Sequence, residues 1–302
     1  MEKELCGVIL VNKHKGVTSH DIVFKIRRLF GTKKVGHTGT LDPLATGVLP
    51  VLVGRAAKAA EYLLSENKRY VAELRLGITT DTEDITGKIL TKSDTLPTKN
   101  EFFDACAQFV GESEQVPPMY SALKVNGQKL VDLARQGIEV ERQARKICIY
   151  SISPEVIDEG QGLYRISVAC SKGTYIRTLC ADIGARLGCG ATMTELERIQ
   201  SGAFDIENAY TIEALEGMEM DMRHSLLMPV ESLFEEATAL TLPDFYARLC
   251  RSGCEIYQKK IHTSINDGEF VRICDKNGFF ALGQVKEFPD GSAIKAVKLF
   301  VL

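Results

Sequence analysis

The sequence predicts an α+β protein in which a larger mixed body is followed by a small β-rich C-terminal unit. Three observations carry this expectation. Period-two alternation marks a half-buried strand at 68–76, where Tyr70, Ala72, Leu74 and Leu76 alternate with Val71, Glu73 and Arg75, and marks a second at 163–170. Helical spacing is clearest where Ile176, Leu179, Cys180, Ile183 and Leu187 share one face. From about residue 241 the texture changes to short alternating stretches punctuated by Asp267-Gly268, Asp275-Lys276-Asn277-Gly278 and Asp290-Gly291, the pattern of a small β domain.

Taken in order, residues 7–11 read as a short apolar strand and 12–19 as a basic turn. Ser19 is suited to cap a helix whose buried face is Ile22, Val23, Ile26, Leu29 and Phe30, and Gly31 is suited to stop it. Lys25, Arg27, Arg28, Lys33 and Lys34 then face solvent or phosphate. Residues 36–47 hold three glycines and three threonines together with His37 and Asp42. Pro43 removes a donor and biases Asp42 toward an extended backbone, so the stretch reads as a shaped loop presenting His37 and Asp42. The apolar run Val48–Val53 anchors it as a buried strand.

An alanine-rich helix is expected near 55–65, a polar turn at 79–87, a polar linker at 91–100 and a helix near 99–110. Prolines 117 and 118 extend the next stretch, Asn126-Gly127 signals a turn and a short helix follows at 128–136. Residues 171–174 turn into the helix that carries Arg177 in its first turn. A cation there opposes the helix dipole, and a nearby carboxylate would relieve it.

A chain of 302 residues can bury one large core and a smaller one. No apolar run approaches the roughly 20 residues that span a bilayer, and residues 1–6 are charged, without a signal-peptide core. The nine cysteines contain no CxxC pair and read as reduced cytosolic thiols. Cys250, Cys254 and His262 lie close in sequence but fall short of the four ligands of a structural zinc. Neither a phosphate loop nor a dinucleotide fingerprint is present, and no metal or organic cofactor is expected. The net charge of −3 hides an uneven distribution. Residues 1–58 carry ten Lys/Arg against four Asp/Glu, whereas 205–240 carry one against nine. A basic N-terminal face is the footprint a nucleic acid requires.

One stretch narrows the reading further. His37-Thr38-Gly39-x-Leu41-Asp42-Pro43-x-Ala45-x-Gly47, followed by Leu49-Pro50 and Gly54-Arg55-Ala56-x-Lys58, resembles the signature loop of the bacterial tRNA pseudouridine synthase B (TruB) family. Other blocks resemble the family in the same order. Residues 13–19 are similar to Lys-Pro-x-Gly-x-Thr-Ser, with His14 in place of proline. Residues 117–124 match Pro-Pro-x-x-Ser-Ala-x-Lys, and 170–177 match Cys-Ser-Lys-Gly-Thr-Tyr-Ile-Arg. Residues 196–204 resemble Leu-Arg-Arg-Thr-x-x-Gly-x-Phe, from which Glu197 and Ile199 depart.

The resemblance implies a mixed, largely antiparallel central sheet flanked by helices over 1–238 and a PUA-like domain over 239–302. It implies a basic insertion at about 121–147 that clamps RNA and an acidic helical linker at about 205–238. The implied reaction is isomerisation of the uridine at position 55 in the tRNA TΨC loop, with the target base flipped out of the stack. Asp42 would be the nucleophile, Tyr70 the active-site aromatic and Arg177 the partner of Asp42. Leu196 would line the uracil pocket, His37 would fill the vacated stack, and Lys13, Lys33, Lys34, Thr38, Gly39 and Lys124 would face the RNA. The implied partner is the tRNA T-stem-loop, engaged by a cytoplasmic monomer without a protein partner or a membrane. Two competing readings are a tRNA-folding protein without turnover and a subunit of a guide-RNA-dependent synthase. Asp42, Tyr70 and Arg177 occurring together argue against the first, and the compact C-terminal region argues against the second.

Overall fold

The computed structural model describes residues 5–62, 67–125 and 127–301. The strand β1 (Cys6–Lys13) pairs antiparallel with β3 (Thr46–Gly54) along its full length, from Cys6 opposite Gly54 to Lys13 opposite Gly47. On its other side β3 takes two partners. Its start pairs in parallel with β8 (Ala191–Ser201) at Thr46 and Gly47, and its end pairs antiparallel with β2 (Val35–His37) at Val51, Leu52 and Val53. Among the described residues Val48–Pro50 have no strand partner on that side, and the loop 38–45 crosses there, with the Thr38 N–H bonded to the Pro50 carbonyl.

The sheet continues as β1-β3-β8-β4-β7-β6-β5, through β4 (Lys68–Leu76), β7 (Leu163–Cys170), β6 (Arg145–Asp158) and β5 (Gly111–Gln115). The two-residue β9 (Phe204–Asp205) pairs with β8, and every pairing except β3–β8 is antiparallel. One face packs on the helices α1 (Ser19–Leu29), α2 (Lys99–Ala107) and α4 (Ile176–Arg186), with Ile22, Ile26, Phe102, Leu179 and Ile183 meeting Val11, Leu49, Leu74 and Ile166 in one core. The short α3 (Leu130–Arg135) lies in the basic insertion. Gly184 of α4 lies so close to β8 that a Cβ would meet the Ala191 nitrogen at 2.1 Å, so only glycine lets this helix and strand touch.

The opposite face of β1 and β3 is covered as well. Val8, Leu10, Val48 and Leu52 meet Phe204, Val230, Leu233, Phe234, Leu282 and Phe300 in a second core. Burial on both faces is why these two strands read as unbroken apolar runs. Leu282 comes from the C-terminal sheet, ordered β10-β12-β13-β14-β11 from Thr238–Thr241, Phe270–Asp275, Gly278–Phe288, Gly291–Leu299 and Ile256–Tyr257, and Phe300 follows β14 directly. The acidic segment runs along the outer edge of β1. Val8 and Met228 exchange two backbone hydrogen bonds of 2.9 Å, and Tyr210 bonds the backbone of Leu10 and Asn12. An edge strand that would otherwise invite another chain is thereby closed.

Several expectations are corrected. Thr18, not Ser19, caps α1, through a reciprocal box with Asp21, which frees the Ser19 hydroxyl for another partner. The stretch 55–65 forms a 3₁₀ helix over Arg55–Tyr62, while 63–65 lie outside the described residues. Asn126 of the expected Asn-Gly turn is also outside them, as are residues 1–4 of the charged N-terminus. The polar turn at 79–87 is held in a hairpin of Ile78–Thr80 with Ile89–Lys92. The shaped loop is shorter than read, because Val35–His37 and Thr46–Gly54 are strands. Ala191–Ser201, which drew notice only as a motif, is a central strand whose charged Glu195, Glu197 and Arg198 obscure its alternation.

Candidate active site

The loop 38–45 is fixed from beneath by three side chains. The Ser19 hydroxyl donates to the Leu41 carbonyl at 3.0 Å and accepts from the Leu41 N–H at 2.8 Å. The Lys13 ammonium, fully buried, donates to the carbonyls of Ala45 at 2.6 Å, His14 at 3.1 Å and Pro43 at 3.5 Å. Arg198, also fully buried, donates to the Val48 carbonyl at 2.9 Å and the Gly39 carbonyl at 3.1 Å. The first bond fills the gap where β3 has no strand partner, as a buried carbonyl requires, and the second ties the loop to the same guanidinium. Gly39 adopts φ +70°, and a Cβ there would meet the Arg198 guanidinium at 3.2 Å.

Asp42 is thereby presented to Arg177 at the start of α4. Their contact is Nε to Oδ2 at 2.9 Å, with Arg177 4 % exposed and the Asp42 side chain 37 % exposed. The carboxylate is therefore crowded by protein yet open to solvent on one side. Burial pushes its pKa above the ordinary Asp value of 3.8; Arg177 pulls it back down and Asp84 adds to the rise. Arg177 grips through a single Nε contact. Its other nitrogens donate to the Thr82 carbonyl at 3.0 Å and the Tyr120 carbonyl at 2.8 Å, and its NH1 lies 3.8 Å from Asp84 Oδ2. The guanidinium is fixed from three directions and so fixes the direction of Asp42.

The turn that supplies Thr82 and Asp84 is itself held. Asp84 accepts from the Thr82 hydroxyl and from the Thr86 N–H, each at 2.9 Å. Glu83, in a left-handed conformation at φ +63°, accepts from the Thr178 hydroxyl on α4 at 2.6 Å. The start of α4 is further tied by Gln115, whose amide exchanges bonds of 2.8 and 3.1 Å with both backbone groups of Tyr175.

Tyr70, Leu196 and Arg198 share one face of the sheet, since Tyr70 lies opposite Arg198 and Ala72 opposite Leu196. Tyr70 and Leu196 are each 7 % exposed and belong to the core that also contains Leu41, Leu44 and Ala45 of the loop. Burial raises the Tyr70 pKa, with Arg198 pulling it down and Asp42 pushing it up, so the phenol and the carboxylate sense one another. His37 ends β2, half-buried, and burial lowers its pKa, with Arg198 and His20 adding to the fall. Thr38 is buried beside it.

Lys33, Lys34 and Lys124 are exposed. The first two line a groove of about 530 Å³ with Arg55 and Lys58. Lys13 is the one basic candidate placed under the loop instead of on the surface; burial drops its pKa to about 8, and Asp42 opposes the fall.

Sequence reasoning did not single out Ser19 as a loop anchor, nor Asp84, Glu83, Gln115 or Arg198. Arg198 had a signal in its position within the block 196–204. Glu83 and Asp84 lie in the polar turn 79–87, which also resembles the family, while the bonds of Ser19 to Leu41 and of Gln115 to Tyr175 span 22 and 60 positions and leave no periodic trace.

The arrangement has known relatives. The TruB family pseudouridylate synthase N-terminal domain matches residues 27–176, and the tRNA pseudouridylate synthase B C-terminal domain matches 177–235. The chain is 44 % identical over 297 residues to a tRNA pseudouridine synthase B of Clostridium perfringens (strain 13 / Type A), covering 98 % of this chain and 99 % of that one. It is 42 % identical over 296 residues to that of Clostridium tetani (strain Massachusetts / E88), with coverage of 98 % and 99 %. Among solved structures, a Cbf5-Nop10-Gar1 complex is similar with a TM-score of 0.68 at 27 % identity, covering 98 % of this chain and 85 % of the matched one. Fold and relatives together define the class: a pseudouridine synthase, an enzyme that isomerises uridine in RNA. Within that class, the chain belongs to the TruB family.

Proposed function

We propose that this protein isomerises the uridine at position 55 in the TΨC loop of tRNA, with Asp42 as the reacting carboxylate. The observation that carries the reading is the 2.9 Å contact of buried Arg177 with the partly exposed Asp42 carboxylate, on a loop anchored by Lys13, Ser19 and Arg198. The curated relatives at 42–44 % identity carry the name tRNA pseudouridine synthase B, which supports tRNA as substrate.

The target nucleotide leaves its stack to reach Asp42, at a cost of a few kcal/mol. Asp42, ionised and aimed by Arg177, acts on the base or on the sugar. The N1–C1′ bond breaks, the uracil turns in the pocket beside Tyr70 and Leu196, and C5 bonds to C1′. The proton leaves C5 and N1 gains one, so composition is unchanged. Tyr70 stacks on the uracil and assists proton removal from C5. His37 fills the vacated stack, and Lys33, Lys34 and Lys124 meet phosphates. The reaction as written uses only groups of this chain, and we propose that a monomer in the cytoplasm carries it out.

A partner-dependent reading has one support, the likeness to a protein solved within a Cbf5-Nop10-Gar1 complex. Purified protein incubated with an unmodified tRNA transcript, with no added protein, metal or guide RNA, separates the two. One new pseudouridine in the T-loop is the expected product. Binding without modification would favour the partner-dependent reading, and modification elsewhere would move the substrate assignment.

A further inference from the structure

We propose that Phe24, on the exposed face of α1, is a stacking platform for a second, unpaired base of the bound tRNA loop, outside the pocket that takes the target uridine. The proposal rests on tRNA being the substrate.

Single exposed apolar side chains are ordinary on a protein surface; the setting of Phe24 is what distinguishes it. The buried face of α1 is complete without it, since Ser19, Ile22, Val23 and Ile26 point inward while Phe24 stays 52 % exposed. The ring is nevertheless held. His20, one turn earlier, meets it edge-on with centroids 4.7 Å apart at 81°. The Arg27 guanidinium carbon lies 5.3 Å from its centroid. A ring steadied in this way loses little freedom on binding, and half of it remains open.

The surroundings select the occupant. Lys25, Arg27 and Arg28 share the helix with a single carboxylate, Asp21, which is already engaged by the backbone and hydroxyl of Thr18 at 2.8 and 2.7 Å. Exposed Lys33 and Lys34 follow the helix. An aromatic face set among cations matches what single-stranded RNA recognises, a π-surface for a base beside charges for phosphates.

The platform is also continuous with the candidate site. Ser19, at the start of the same helix, holds both backbone groups of Leu41, next to Asp42. Arg27 reaches the Val35 carbonyl at 3.5 Å, at the head of the strand that ends in His37. His20 sits near enough to His37 to push its pKa down. In this proposal a loop whose target base has swung toward Asp42 passes this flank with its neighbouring bases splayed.

The chain contains no tryptophan, so Phe24→Trp places a single indole at the proposed contact. In an Asp42→Asn background, expected to hold tRNA without turning it over, unmodified tRNA is expected to quench that fluorescence saturably. A fully paired RNA duplex of similar length is expected to quench it much less. In kinetics, Phe24→Ala should lower kcat/KM by about tenfold, through KM with kcat unchanged, and Phe24→Tyr should restore it. Unquenched emission from a demonstrably bound complex overturns the proposal, as do equal quenching by the duplex and a Phe24→Ala variant with wild-type KM. A concentration-dependent dimer abolished by Phe24→Ala would assign the patch to protein contact instead. If wild-type protein binds tRNA but leaves its T-loop unmodified, the proposed function fails, and the quenching result still decides the platform.

Discussion

The two sides of Asp42 are built from different physics. On one side stands Arg177, a buried guanidinium that meets charge: Asp42 at 2.9 Å and Asp84 at 3.8 Å. On the other stand Lys13 and Arg198, two fully buried cations that bond backbone carbonyls of the loop and of β3. The first side sets the direction of the carboxylate and the larger share of the charge effect on its protonation, to which Lys13 adds a smaller downward pull. The second sets where the loop lies. A buried cation that bonds backbone carbonyls fastens the chain, and its loss leaves acceptors unpaired, while a buried cation held directly on a carboxylate chiefly aims it and tunes its pKa; Arg198 does some of both, since it also pulls the Tyr70 pKa down.

This contrast separates the expected effects of substitution. Arg177→Met should lower kcat/KM by about a hundredfold or more, the scale of a misplaced reacting group. Because Arg177 holds the Asp42 pKa down, its loss should also move the acid limb of the kcat/KM profile to higher pH. Asp84 pushes the other way, so Asp84→Asn should move that limb to lower pH. Limbs that stay in place in both variants would detach the acid limb from Asp42.

Arg198→Met should act first on stability. A buried carbonyl left without a donor costs about 1–3 kcal/mol; the Val48 carbonyl is such a group, and the part-buried Gly39 carbonyl adds less. A lowered Tm, together with an unshifted acid limb in whatever activity survives, is the expected signature; an unchanged Tm would refute the fastening role.

Lys13 gives a pH test of the same side. Its folded pKa of about 8 lies below its ordinary 10.5, so between those values the unfolded chain binds more protons and this group's contribution to stability rises with pH. Denaturant unfolding of wild type and Lys13→Met across that range should show this rise in wild type alone. Parallel curves would mean that Lys13 is not buried as described. The smallest effect is expected away from Asp42, where Lys33→Ala should weaken tRNA binding modestly and reduce its salt slope by about one. An unchanged slope would remove Lys33 from the RNA face.

The contrast also explains what the sequence could show. Strand 68–76 and helix α4 are legible because their apolar residues recur with the period of each element, whereas the site roles of Tyr70 and Arg177 came only from the family resemblance. The loop was legible as a loop because Gly39 and Pro43 constrain the backbone. Its fastenings were not, because Ser19, Lys13 and Arg198 act across 22, 32 and 159 positions of chain. Ser19 was misread for a local reason: two adjacent hydroxyls compete for one cap, and Asp21 completes the box only with Thr18. Strand β8 was obscured because an inward-facing arginine stands where alternation demands an apolar residue.

The central claim is that Asp42 is the reacting carboxylate. Single-turnover conversion of unmodified tRNA by Asp42→Asn, with binding measured on the same samples, tests it most directly. The expected result is tRNA bound at near wild-type affinity with no pseudouridine formed. Substantial conversion by the Asn variant would remove Asp42 from the chemistry and leave the Arg177 contact a structural one.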